Sequence, residues 1–310
     1  MTDTELPELP RGIALAWGVA ANPQRGPKRE MSVEKIVEAA VELADAEGIG
    51  AVSMAAVASR LGFTPMSLYR YVTAKDDLLL LMQEEATGLP PARLMEAEGW
   101  RAKLMALYQE QVQLYLRHPW MLSLPITGSP ITPNSSAWLD AGLAALEDTA
   151  LSAEERMATA LAVTGHARWC GIVQAGYTEQ SRGSGLAPEE VAAREASLFD
   201  RVITAAEFPA LRRAIEDQVF LSEADPFRFA VERTLDGVAA YIAALDRGEP
   251  HAEPSEWITL DPAEIAGDRR LKEAQKAVRE AEKTLRAARK VERQALIDAR
   301  ERLARARKSG

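Results

Sequence analysis

Thr64, Pro65, Met66, Ser67, Tyr69, Arg70 and Tyr71 crowd into eight positions, and Lys75 follows four residues later. These types suit contact with a charged, stacked polymer rather than bond making. Hydroxyls and a guanidinium reach phosphates or base edges, aromatic rings stack on sugars or touch thymine methyls, and a lysine is a point charge for phosphate. From Ser53 to Lys75 there are three bases, Arg60, Arg70 and Lys75, and no acid. A second group lies further on. Tyr108 and Tyr115 are seven apart with Gln111 between them, and His166, Trp169 and Cys170 fall at helical spacing with Gln174 one turn on. With Trp120 and Trp138 they are the expected lining of a small-molecule pocket, apolar walls carrying a few polar groups, which would suit many flat, apolar ligands. Catalytic chemistry finds no footing. No serine or cysteine has a histidine partner by motif, Gly183-Ser184-Gly185 lacks the nucleophile-elbow pattern, and no phosphate-cradling glycine motif occurs. Three scattered histidines and one cysteine make no metal cluster. We therefore expect no catalytic residue, metal or cofactor, and no enzyme.

The elements that must position the first group read as short helices. Ser32 is an N-cap, Glu34 lies in the first turn, and Ile36, Ala39, Ala40, Leu43 and Ala44 give one buried face up to Gly48 and Gly50. Ser53 caps a helix to Leu61, Gly62 supplies a turn, and Thr64 caps a third helix with Pro65 in its first position. Leu68 and Val72 face inward, which leaves Met66, Ser67, Tyr69, Arg70 and Tyr71 to the outside. Thr73-Ala74-Lys75-Asp76 reads as a capping box opening a fourth helix through Leu78–Met82. Two short helices joined by a glycine-containing turn form a helix-turn-helix whose second helix fits the major groove.

Residues 32–87 resemble the DNA-binding domain of the TetR family. The resemblance is carried by Val52-Ser53-Met54-Ala55-Ala56-Val57-Ala58-Ser59-Arg60-Leu61-Gly62 and by Ser67-Leu68-Tyr69-Arg70-Tyr71-Val72-Thr73-Ala74-Lys75. It implies that Ser53 lies near phosphate, that Thr64, Pro65, Met66, Ser67, Tyr69, Arg70 and Tyr71 lie on the recognition helix, and that Lys75 clamps phosphate. Tyr71 departs from the histidine or phenylalanine common in the family. The resemblance further implies an all-α fold, a ligand-responsive repressor acting as a homodimer on a pseudo-palindromic double-stranded DNA operator, and a small-molecule effector. In the family two of the last helices pair with their copies in a four-helix dimer bundle. A helical scaffold that recruits a partner is the alternative reading.

The rest of the chain accommodates that plan. Residues 1–30 read as a flexible, Pro- and Gly-rich arm carrying the basic run Arg25-Gly26-Pro27-Lys28-Arg29, residues 31–87 as the DNA-binding domain, residues 88–250 as a helical effector-binding and dimerisation body, and residues 251–310 as linker and basic helix. In the body, helices are expected at Trp100–Arg117, from Pro119 to Leu124, at Asn134–Thr149, Ala153–Ala175, Pro188–Ile203, Pro209–Phe220 and Pro226–Leu245, with residues 178–187 a polar loop. His118-Pro119-Trp120 is placed as in the tetracycline-repressor-like branch. In the tail Leu271, Val278 and Leu285 fall seven apart with Ala274, Ala281 and Ala288, a coiled-coil seam that falters near Glu292. From Glu264 onward 15 Lys and Arg oppose 8 Asp and Glu, a net of +7, so the rest of a chain whose total is −9 carries −16. A local positive face on an acidic body discourages indiscriminate coating of DNA. An acidic N-terminus and the lack of an apolar run near 18 residues predict neither export nor a membrane span, and one cysteine fits a reducing cytoplasm.

Overall fold

The computed structural model describes residues 9–19, 31–126, 131–222, 224–253, 265 and 267–308. Its regular elements are all helical, and no strand occurs among the described residues. In chain order they are α1 (Arg11–Ala16), α2 (Val33–Glu47), α3 (Met54–Leu61), α4 (Pro65–Leu68), α5 (Lys75–Thr87), α6 (Gly99–Arg117), α7 (Pro133–Ala144), α8 (Ala153–Ser184), α9 (Pro188–Val202), α10 (Pro209–Glu216), α11 (Pro226–Asp246) and α12 (Arg269–Lys308). By internal contacts the chain forms two units, Met1–Gly185 with Ala224–His251, and Leu186–Glu223 with Ala252–Gly310. α9 and α10 pack on each other and on the turn Val219–Leu221, where Phe199 and Phe220 stack 4.8 Å apart.

The first unit holds two cores. One joins Ile36, Ala40, Val57, Leu68, Val72, Leu78 and Met82, the inward stripes of α2 to α5. Each of the larger side chains among them contributes roughly 1.5–3 kcal/mol by leaving water. Ser32 accepts from the Lys35 N–H at 3.3 Å and starts α2. Ser53 does the same for Ala56 at 3.1 Å and starts α3, which ends on left-handed Gly62, φ +75°. The other core, Leu104, Leu107, Leu146, Val163, Val231 and Leu235, is shared by α6, α7, α8 and α11. α6 and α8 approach closely because Gly171 has no side chain: a Cβ there would lie 2.9 Å from that of Tyr115.

Three local expectations are corrected. Residues 178–184 are not loop but the end of α8, which starts on a capping box between Ser152 and Glu155 and stops only at left-handed Gly185. Interior glycines each cost about 1 kcal/mol against alanine, which a helix this long and well packed tolerates. Part of the N-terminal arm is ordered: α1 packs on α5 with Gly12 against Asp77, and Trp17 donates to the Ile131 carbonyl at 2.6 Å. The basic run 25–29 lies outside the described residues. At the start of α5 no capping box forms, since Ala74 is the cap residue and Thr73 bonds Asp77 instead, at 2.9 Å.

Candidate nucleic-acid interface and effector site

α3, the Gly62 turn and α4 present one rim. Ser53, Thr64, Pro65, Arg70 and Lys75 are exposed, Ser67 is half-buried, and Met66 and Tyr69 keep 75% and 43% of their surface in water. α4 is a single turn, and Thr64 makes no side-chain cap. Its hydroxyl lies 3.4 Å from that of Ser67, which in turn donates to the Thr64 carbonyl. Arg60 is tied to Glu42 at 2.8 Å. Arg70 and Lys75 are thus the exposed cations of the rim without that restraint. Tyr71 departs from the expectation of an outward ring. It is 7% exposed and belongs to the core with Leu68 and Val72. Its N–H bonds the Leu68 carbonyl at 2.8 Å, and position i+3 from Leu68 shares the buried face.

The expected pocket lining separates. Tyr108, Gln111, Tyr115, His166 and Cys170 meet where α6 faces α8 and α11. Gln111 donates to Thr164 Oγ1 at 3.3 Å, leaving its own Oε1 buried with no donor among the described residues. Tyr108 Oη is buried beside the Cys170 thiol without a hydrogen bond of good geometry. Burial, and then Cys170, push the Tyr108 phenol well above its usual range, so it keeps its proton. Burial likewise raises the Cys170 thiol. Tyr115 is raised by burial, against the pull of Arg168. His166 Nε2 lies 3.0 Å from Thr234 Oγ1 on α11.

Three residues assigned to that lining, Trp169, Trp138 and Trp120, make other contacts. Trp169 is 58% exposed, and Gln174 is exposed as well. Trp169 falls on the outer face of α8, beside Leu161 and Ile172, whereas Gln174 lies one turn after Cys170 and its side chain hydrogen-bonds the Cys170 thiol. Trp138 is buried but spends its N–H on the Gly88 carbonyl at 2.9 Å, fastening α7 to the end of α5. Trp120 donates to Asp45 Oδ1 at 2.7 Å, and His118 Nδ1 lies 2.8 Å from the same oxygen. Asp45, on α2, thus joins the DNA-binding helices to the turn after α6. Sequence reasoning missed it because one acid on an amphipathic helix reads as solvated. Arg168 was missed too; it donates to the carbonyls of Leu122 and Leu124 and braces that same turn from α8.

Comparison with known proteins agrees with this geometry. The family described as "Bacterial regulatory proteins, tetR family" matches residues 36–82, and "Tetracyclin repressor-like, C-terminal domain" matches residues 91–242. The HTH-type transcriptional repressor DrrR1 of Streptomyces coeruleorubidus is 33% identical over 244 residues, 78% of this chain and 89% of its own. An HTH-type transcriptional regulator of Saccharopolyspora erythraea is 32% identical over 183 residues, 58% of this chain and 76% of its own. Among solved structures, apo ActR from Streptomyces coelicolor superposes with a TM-score of 0.52 at 22% identity, covering 70% of this chain and 99% of ActR. ActR in complex with actinorhodin gives 0.52 at 19% identity, covering 71% and 97%. With both halves of the family architecture matched and a repressor this similar along most of its length, the chain belongs to the TetR family and is a helix-turn-helix transcriptional regulator.

Proposed function

We propose that the chain is a cytoplasmic repressor that grips a pseudo-palindromic operator through the rim of α3 and α4, and that an apolar effector bound between α6, α8 and α11 releases it. The observation that carries the DNA reading is the acid-free rim itself: Ser53, Thr64, Pro65, Met66, Ser67, Tyr69 and Arg70, with Lys75 at the start of α5. Tyr71 supports that rim from beneath. Residues 31–87 are the proposed DNA-binding domain and residues 88–250 carry effector and dimer functions. The dimer face we assign to the outer sides of α8 and α11, where Leu161, Trp169, Ile172 and Phe229 are exposed. Large apolar side chains clustered in water are the usual mark of an interface.

The effector reading rests on the two unsatisfied groups. Tyr108, held protonated, offers a donor, and Gln111 Oε1 needs one. A flat apolar molecule bearing a hydroxyl or a hydroxyl–carbonyl pair would satisfy both. It must favour the free form over the DNA-bound form, since a ligand without preference shifts nothing. Release would travel through Asp45, whose grip on Trp120 and His118 links the turn after α6 to α2. Tyr108→Phe and Gln111→Leu keep the volume and remove the polar groups. Operator affinity should stay near its starting value while the effector concentration for half-release rises about tenfold, about 1.4 kcal/mol for a lost buried hydrogen bond. Unchanged release by both variants would place the effector elsewhere.

A further inference from the structure

Lys272, Lys276, Arg279, Lys283, Arg286 and Lys290 follow one another along α12 at intervals of four, three, four, three and four residues. Steps of three and four keep to one side of a helix, so the six cations form a row about 27 Å long. All six are exposed. Acids stand close by, yet none closes an ion pair with the row among the described residues. Glu273 is tied instead to Arg269, at 2.9 Å. Arg289, which does engage the fold, lies off the row, 3.6 Å from Glu207. The sequence has neither glycine nor proline between Asp268 and Ser309, so the row rides on one unbroken helix.

We propose that this row is a second DNA-contact surface, which lies along the phosphates of a duplex and reads no sequence. Its place on the helix sorts the partners. The row stands about 150° round α12 from the seam of Leu271, Val278 and Leu285. In a helix pair the charges that choose a partner flank the seam, and one flank here is Ala277, Thr284 and Val291. The six cations are therefore not placed to select a partner helix. A lipid surface holds a helix by its buried apolar area, and α12 has no aromatic ring and alternates its seam with alanine. A partner that is charged along its length and asks for no apolar contact suits the row best. Over about 27 Å a duplex carries about sixteen phosphates, and each one neutralised adds about 0.9 to the salt slope. The inference goes beyond the operator reading, since the row needs no half-site.

The test measures binding of the full chain to duplexes of mixed sequence at several salt concentrations. Lys276→Gln with Lys283→Gln keeps good helix formers and removes two cations of the row. It should lower the slope of log affinity against log salt by about two units. A second variant adds Ala277→Lys and Thr284→Lys to those changes, which restores the net charge but sets it about 100° round the helix. Its slope should stay as low as that of the first. A slope restored to that of the unaltered chain would show attraction by bulk charge and overturn the proposal. An unchanged slope in the first variant would overturn it too, and leave the cations to an acidic protein surface. No operator enters the measurement, so failure here leaves the reading of the α3 and α4 rim standing, and a failed operator selection leaves the row standing.

Discussion

Lys75 is exposed in the first turn of α5 beside Asp76 and Asp77, where the helix dipole itself favours an anion. The proposed phosphate contact would sit against that N-terminus, with Lys75 adding its charge. Lys75→Ala should weaken binding to every DNA sequence alike and reduce the salt slope by about one unit. Titrations at several salt concentrations check this, and a changed sequence preference with an unchanged slope would remove Lys75 from the backbone contacts. Tyr69 and Tyr71 are two residues apart yet belong to different roles. Tyr71→Ala should cost about 3 kcal/mol of stability, as deletion of a buried ring does, whereas Tyr69→Ala should leave the melting temperature nearly unchanged and alter site preference. Sequence pattern placed Ser53, Thr64 through Ser67, Tyr69, Arg70 and Lys75 on one rim because caps and turn residues have local causes. It turned Tyr71 outward because the inward pair Leu68 and Val72 seemed to complete the face. The spacing of three from Leu68 was the available signal.

The helices of the DNA-binding domain were legible because each carries its own start and stop: Ser32 and Gly48 for α2, Ser53 and Gly62 for α3, Pro65 at the opening of α4. The end of α8 was not, since Gly176, Gly183 and a run of polar residues resemble a loop when tertiary support is unseen. The proposed effector site was only half legible for a related reason. Helical spacing groups His166, Trp169 and Cys170 on neighbouring positions of α8, but only the partner helices decide which side is inside, and here it holds Cys170 and not Trp169. The capping box of α8 has a consequence for pH. Glu155 is held below the usual carboxylate range first by the hydroxyl of Tyr241 at 2.6 Å, with Ser152 and His251 adding to it. A carboxylate depressed in the folded state contributes stability that is fully present above its unfolded value and is lost as pH falls through the lower folded value. Glu155→Gln should therefore give a shallower decline of melting temperature below the ordinary carboxylate range. An identical acid profile would mean that Glu155 is not among the groups driving it.

For the whole molecule the charge is unevenly placed, with −16 on residues 1–263 and +7 from Glu264 onward. An acidic body limits indiscriminate DNA binding, and the lysines of α12 add attraction that carries no sequence information. Replacing Lys276, Lys283 and Lys290 with alanine should weaken DNA binding at low salt, by a similar factor for specific and random sequences, and leave the preferred site unchanged; a shifted preference would place α12 in base recognition. In the proposed dimer, operator geometry and effector release would be linked, because two rims joined through α8 and α11 could match two half-sites only at one spacing. The most direct test is to select the DNA bound by the intact chain from a pool of random duplexes. Enrichment of one pseudo-palindrome whose half-sites lie about one helical turn or a multiple of it apart is the predicted result. A pool that remains random after repeated selection, from protein that is folded and dimeric, would contradict the account.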